Sequence, residues 1–262
     1  DLSKADLSPH TDIKFGFYTI LLSECKCEAY AYGHQCCDFS DGTLVCLTPG
    51  ESISMKENNK EFPSKGWILA FHPDLICGTP LGLNIHNYTF FSYCPEEALH
   101  LSLREKQIIL EFLERIRQEL ERCIDRHSKK IISKYIELLL DYCTRFYERQ
   151  FITRCEANKK IMKKTDVLLK DYILSGKLKY NTSPSLGYCA KILQLSSHYF
   201  NDLLKFESGK NIDEYFESKR LEMAKSMLLD SNNTVSVVTE KLGYPNIRYF
   251  SRLFKRITGV AP

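Results

Sequence analysis

The chain has 262 residues, above the size at which a single core stops growing, so two domains are expected, with a helical piece between them. Hydrophobic residues at 44% and charged residues at 26% exclude a disordered chain and a collagen-like or linker sequence. The net charge of +3 hides a division: residues 1–157 carry 18 basic against 23 acidic side chains, and residues 158–262 carry 18 against 10. A basic module joined to an acidic one reads as a polyanion binder attached to something else, although a chance distribution of solvated charge gives the same count.

The first residues, Asp1-Leu2-Ser3-Lys4-Ala5-Asp6, have neither a basic flank nor an apolar run, so no secretory signal is expected. No stretch approaches the roughly 18 uninterrupted apolar residues of a membrane span, so no membrane partner is expected. Eleven cysteines, an odd number without an export signal, read as reduced thiols in the cytoplasm.

Residues 13–94 alternate short apolar runs with turn signals. Phe15–Leu21, Gly42–Leu47, Trp67–Phe71 and Tyr88–Tyr93 are rich in aromatic and β-branched residues, punctuated by Asp41-Gly42, Pro49-Gly50 and Pro63-Ser64. Strands at this spacing predict a β-sandwich or barrel over residues 1–100.

His34, His72 and His86 are scattered and include no His-x-His pair, so ordinary hydrogen-bonded histidines are expected and no metal site. The group Cys25-x-Cys27 with Cys36-Cys37 could bind zinc or oxidise, but it lacks paired C-x₂-C spacing, and free thiols are the other reading. Neither a G-x-S-x-G elbow nor a phosphate loop is present, and no catalytic residue or cofactor is assigned. The alternative from another class is a metal-dependent cupin-type enzyme with a helical appendage; a protein-binding adaptor is a third.

From Leu103 to about Thr153 the period becomes helical. Ile109, Phe112, Ile116, Leu120 and Cys123 form one stripe; Ile132, Tyr135, Ile136, Leu139, Tyr142, Cys143 and Phe146 form the next. Residues 101–157 therefore predict a helical hairpin. It either covers the barrel or offers the face bearing Glu111, Arg115, Glu119 and Arg122 to a second copy, as a homodimer. The polar, Lys-rich segment Cys155–Lys164 marks the domain boundary.

Near the C-terminus the chain repeats itself. Tyr199, Phe200, Leu203, Lys205 and Gly209 recur fifty residues later, without a gap, as Tyr249, Phe250, Leu253, Lys255 and Gly259. Each copy ends at a Gly after three apolar residues at helical spacing. Each follows a shorter helix, about Leu186–Leu193 and Val235–Leu242, across a turn of three or four residues, which describes a helix-turn-helix. Ser183-Pro184 and Asn233-Thr234 offer caps. Between the copies Asn211–Leu229 reads as one helix, nearly 30 Å long at ~1.5 Å per residue, able to set two recognition helices about one DNA turn apart.

Residues 158–262 resemble the DNA-binding domain of the AraC/XylS family of transcription regulators. The resemblance rests on Leu242-Gly243-Tyr244, on Tyr249-Phe250-Ser251-Arg252-Leu253-Phe254-Lys255-Arg256, on Thr258-Gly259 and Pro262, and in the linker on Tyr215, Arg220-Leu221, Ala224 and Leu228-Leu229. Asp202 departs from the family's basic or polar residue, Thr239 replaces its small Ala, and the sequence stops at Ala261-Pro262, before the family's Tyr-Arg pair.

The resemblance implies double-stranded DNA and RNA polymerase as partners, and an activator whose cupin-like N-terminal barrel takes a small-molecule effector and dimerises. It places base contacts at His198, Tyr199 and Asn201 and at Ile247, Arg248, Tyr249 and Arg252. The chemistry agrees, since Arg pairs with guanine, Asn with adenine and Ile with a thymine methyl. Lys205, Lys255 and Arg256 are assigned to phosphates. Tyr199 and Tyr249 have packing as a competing role. The expected fold is thus α+β and multidomain: a cupin-like β-barrel or sandwich, a helical hairpin, and an all-α double helix-turn-helix.

Overall fold

The computed structural model describes residues 12–14, 16–23, 37–54, 65–176, 178, 183–229 and 233–262. The chain divides into two compact units, residues 1–155 and 156–262. Phe15, Cys25, Cys27, His34, Cys36 and the Pro63-Ser64 turn lie outside the described residues.

In the first unit, β2 (Tyr18–Ser23) and β3 (Gly42–Leu47) are the central strands of a four-stranded antiparallel sheet in the order β5-β2-β3-β6, with β5 spanning Gly66–Phe71 and β6 Leu99–Leu101. The register pairs Ile20 with Cys46 and with Leu69. Strands β1 (Asp12–Lys14) and β4 (Ser52–Ser54) form a separate two-stranded sheet. Ile20, Leu21, Leu22, Leu44, Val45 and Leu47 are all buried, so the central strands are covered on both faces, which is why they read as continuous apolar runs.

Tyr88–Tyr93, expected as a strand, is instead built around the 3-10 turn Thr89–Ser92, which follows another at Ile85–Asn87. Its aromatic rings mark burial, not strand pairing. Phe90 stacks on Tyr147 at 5.4 Å, and Tyr93 meets the same ring edge-on at 5.2 Å. Two short helices, α1 (Pro73–Ile76) and α2 (Pro80–Asn84), lead into these turns, each with Pro in its first turn.

The helical hairpin forms as α3 (Leu103–Glu121) and α4 (Ser128–Thr153). Ser102 begins α3 with a reciprocal capping box to Glu105. Ile109, Leu113 and Ile116 bury the inner stripe, whereas Leu120 and Cys123, expected in it, are exposed near the helix end. Side chains of α4 complete the sheet edge: Gln150 accepts from the His100 amide and donates to the Ala98 carbonyl. Arg149 donates to the His100 carbonyl oxygen and pairs with Glu105. Arg154 makes a bidentate, almost fully buried ion pair with Asp38.

The two units divide within the Lys-rich segment, which is helical. It is the first half of α5 (Cys155–Leu174), separated from α4 by Arg154 alone. Lys and Glu are good helix formers, and neither Gly nor Pro interrupts the run. The second unit continues as α6 (Leu186–Leu193), α7 (Ser197–Ser208), α8 (Ile212–Leu228), α9 (Val235–Lys241) and α10 (Ile247–Thr258). Its core joins Leu169, Cys189, Phe200, Phe216, Val238 and Phe250. Among the described residues no helix is long and apolar enough to cross a membrane.

Candidate nucleic-acid interface

The repeat read from the sequence is a repeat in space. Ser185 and Thr234 begin the shorter helices α6 and α9, each accepting a hydrogen bond from a backbone amide two residues into its helix, so the caps fall just past Ser183-Pro184 and on Asn233-Thr234. The longer helices start alike. Ser196 accepts from the Tyr199 amide and Asn246 from the Tyr249 amide. Both end at a glycine in the left-handed region, Gly209 at φ 69° and Gly259 at φ 81°, whose amides bond back to Lys205 and Lys255.

Three apolar residues of each copy turn inward: Phe200, Leu203 and Leu204 in α7, and Phe250, Leu253 and Phe254 in α10. The 3.6-residue period then fixes what faces outward. On α10 the face opposite the core carries Arg248, Arg252, Lys255 and Arg256, all exposed and spaced i, i+4, i+7 and i+8. The matching positions of α7 hold His198, Asp202, Lys205 and Phe206. One copy presents four cations; the other presents one lysine, a histidine, a carboxylate and a ring that is 43% exposed.

Ile247 and Tyr249 are also exposed, at 44% and 47%, and flank the basic stripe. Asn201 is half-buried and donates a long hydrogen bond, 3.4 Å, to Asp202. Tyr199 departs from the expectation. It is 3% exposed, so its ring fills the interior of its unit and does not face outward, whereas its duplicate Tyr249 lies outside, tilted against Tyr244 at 6.4 Å. Packing claimed one copy of this tyrosine and not the other.

Helix α8 is slightly shorter than expected: 17 residues, about 25 Å at 1.5 Å each. Both of its flanks are fastened. On one, Tyr215 donates to Asp166 of α5 at 2.7 Å and Lys219 pairs with the same carboxylate. On the other, Arg220 donates twice to the Leu242 carbonyl oxygen and pairs with Glu217, which accepts from the Tyr244 hydroxyl. Burial, with the Glu217 carboxylate beside it, pushes the Tyr244 hydroxyl well above the usual phenol range, so it stays a donor. Composition and periodicity gave no sign of this clamp: Tyr215, Arg220, Leu242 and Tyr244 stood in the sequence only as family positions, and Asp166, Glu217 and Lys219 did not stand out.

Thr239, in place of a small Ala, is buried and donates to the Val235 carbonyl at 2.7 Å, so its hydroxyl is satisfied within α9. In the first unit, His72 caps α1 by accepting from the Asp74 amide, and His86 sits in a 3-10 turn. Among the described residues, no three His, Cys, Asp or Glu side chains are grouped to hold a metal ion. Cys46, Cys143 and Cys189 are buried free thiols, and Cys37 is exposed.

Residues 189–262 match the family described as Helix-turn-helix domain. Two relatives are similar over part of the chain. An uncharacterized HTH-type transcriptional regulator of Bacillus subtilis, YobQ, is 38% identical over 73 residues, 28% of this chain and 30% of that protein. The raffinose operon transcriptional regulatory protein RafR of Pediococcus pentosaceus is 32% identical over 83 residues, 32% of this chain and 30% of that protein. The matched stretch thus spans less than a third of either relative's length. A crystal structure of an apo ToxT variant from Vibrio cholerae aligns over 96% of this chain and 89% of that one, at 12% identity and a TM-score of 0.34.

Proposed function

Because residues 189–262 form a helix-turn-helix domain of the AraC type, we propose that the chain is a sequence-specific, DNA-binding transcription regulator. The observation that carries this reading is the exposed stripe of Arg248, Arg252, Lys255 and Arg256 on α10, opposite the buried face of the same helix. A helix with one apolar face and one cationic face, second of a pair joined by a tight turn, is the device that enters a major groove. Arg248 and Arg252 are the base-reading residues, with Ile247 and Tyr249 at their flank, while Lys255 and Arg256 neutralise phosphates. On α7, His198 and Asn201 take base edges and Lys205 a phosphate; Tyr199 is removed from the contact set.

The finer reading is an activator acting with RNA polymerase in the cytoplasm, and a non-catalytic one. Its N-terminal unit would be a cupin-like sensor to which the antiparallel strands belong, dimerising through the outer face of α3. An effector there acts only through unequal affinity for two arrangements of the chain.

Selection from a random DNA pool followed by gel shift tests the core of this proposal. Arg248→Ala or Arg252→Ala should weaken the selected sequence by about 1–3 kcal/mol and relax preference at one position, while Lys255→Ala weakens all DNA alike. A pool without an enriched sequence, or Arg variants that leave preference unchanged, would refute it.

A further inference from the structure

The second unit contains a groove of about 740 Å³ that lies away from the α10 stripe, between α5 and α6. Its α5 wall is one helical face, running from Lys163 and Lys164 through Val167 and Leu168 to Tyr172. Its α6 wall includes Tyr188 and Ile192. Ligand sites typically measure about 300–1,000 Å³ and are mostly apolar with a few placed polar groups, and this groove has both properties.

Val167 is 59% and Ile192 52% exposed, and the Tyr188 ring stands edge-on to Tyr172 at 5.7 Å.

Charge is distributed unevenly along the groove. Both cations sit at the end nearer the start of α5, and the Asp171 carboxylate sits two turns further on. The α5 carboxylates that form ion pairs do so with other cations, Glu156 with Lys159 and Asp166 with Lys219; Lys163, which also lies in the field of Glu156, and Lys164 are exposed. From Lys163 to Ser175 the wall runs about 18 Å at 1.5 Å per residue, the reach of an extended apolar body with one charged end.

We infer that this groove binds a small amphipathic anion, its acidic head held by Lys163 and Lys164 and its apolar body lying along Val167, Tyr172 and Ile192. Asp171 repels a head placed the other way round, which gives the site a polarity. The inference stands apart from the DNA reading, and it places a ligand site in the helical unit in addition to any effector taken by the N-terminal unit.

Calorimetric titration of the full chain with dodecanoate, below its micelle concentration, tests it without DNA. Dodecanol and dodecyltrimethylammonium serve as comparison ligands with the same tail. The expected result is saturable one-site binding of dodecanoate at least about ten-fold tighter than either comparison ligand. Joint substitution Lys163→Glu and Lys164→Glu should remove that advantage while sparing dodecanol, and Ile192→Asp should weaken all three ligands. Lys163, Lys164 and Ile192 are exposed, so these variants are expected to fold, which thermal unfolding checks. No saturable binding, equal affinity for the three head groups, or wild-type affinity in Ile192→Asp would overturn the inference. Binding in a chain that proved to select no DNA would leave it standing and remove only the gene-control reading.

Discussion

The Arg220 guanidinium lies 4.0 Å from the centroid of the Tyr244 ring, while two of its N–H groups hold the Leu242 carbonyl oxygen. A residue of the connecting helix therefore grips the turn between α9 and α10 by its face and by its backbone. The planar fork does both at once, which a lysine cannot. Arg220→Ala leaves the Leu242 carbonyl and the Glu217 carboxylate short of partners, at an expected cost of about 2 kcal/mol read from denaturant unfolding. Arg220→Lys should recover less than half of that loss; full recovery would mean that charge alone matters.

Gly243 occupies the same turn at φ 68°, and a Cβ there would stand 2.6 Å from the Leu178 Cβ and 2.8 Å from its carbonyl oxygen. Gly209, at φ 69°, has open space around it. Both positions penalise a side chain through backbone conformation, but only the first adds a collision. Gly209→Ala should cost about 1 kcal/mol and Gly243→Ala at least about 2 kcal/mol, compared by thermal melts. Equal costs would show that the contact with Leu178 is easily relieved.

The ion pair of Arg154 with Asp38 is 4% and 0% exposed at its two side chains and ties the end of α4 to the segment before β3. Asp38→Asn keeps the shape and removes the carboxylate charge opposite a buried guanidinium. The expected loss is about 3–5 kcal/mol, seen as a lower melting temperature of the N-terminal unit. A loss under about 1 kcal/mol would mean that water reaches the site.

Burial pushes the Cys189 thiol up to about 11 from its ordinary 9.0, and pushes Cys46 and Cys143 up as well. The folded chain therefore holds these protons more tightly than the unfolded chain. Their contribution to stability is complete below about pH 9 and declines as pH rises towards 11 and the unfolded thiols ionise. Iodoacetamide at pH 8 should label Cys155 and Cys123 in the native protein and spare the three buried thiols until denaturant is added. Native labelling of Cys189 at the rate of Cys155 would contradict this placement.

Asp202 occupies on α7 the place that Arg252 holds on α10. On the proposed interface its carboxylate faces phosphate, so Asp202→Asn should tighten DNA binding by about 1 kcal/mol at low salt, with the gain shrinking as salt is added. An unchanged affinity would place α7 away from the duplex backbone.

The helical elements of the second unit were legible because duplication, period and glycine stops agreed: α6 spans the residues expected of it, and α7 and α10 end where the repeated Gly predicts. Tyr88–Tyr93 was misread because a short aromatic run has the same composition in a strand and in buried turns, and the partner that decides, Tyr147, lies over fifty residues away. Cys155–Lys164 shows in the sequence only its polarity, which is equally the signature of a solvated helix face; that the division between the units lies at the start of a helix had no signal. At the interface, the sequence repeat has equivalent tyrosines, Tyr199 and Tyr249, but only packing decides which is interior. The left-handed Gln194 in the α6–α7 turn, at φ 59°, had no signal, because its counterpart in the second turn is the conventional Gly243.

That one tyrosine of the duplicated pair is interior and its twin lies in solvent has a bearing on any target. Two identical readers would be satisfied by a message repeated word for word. Readers whose outward residues are His, Asp and Lys in one and Arg, Arg and Lys in the other need two unlike words in a set order. On the proposed interface an operator accordingly has a direction: inverting it should leave affinity unchanged and only turn the bound chain round relative to the flanking DNA, whereas exchanging the places of its two words should abolish recognition.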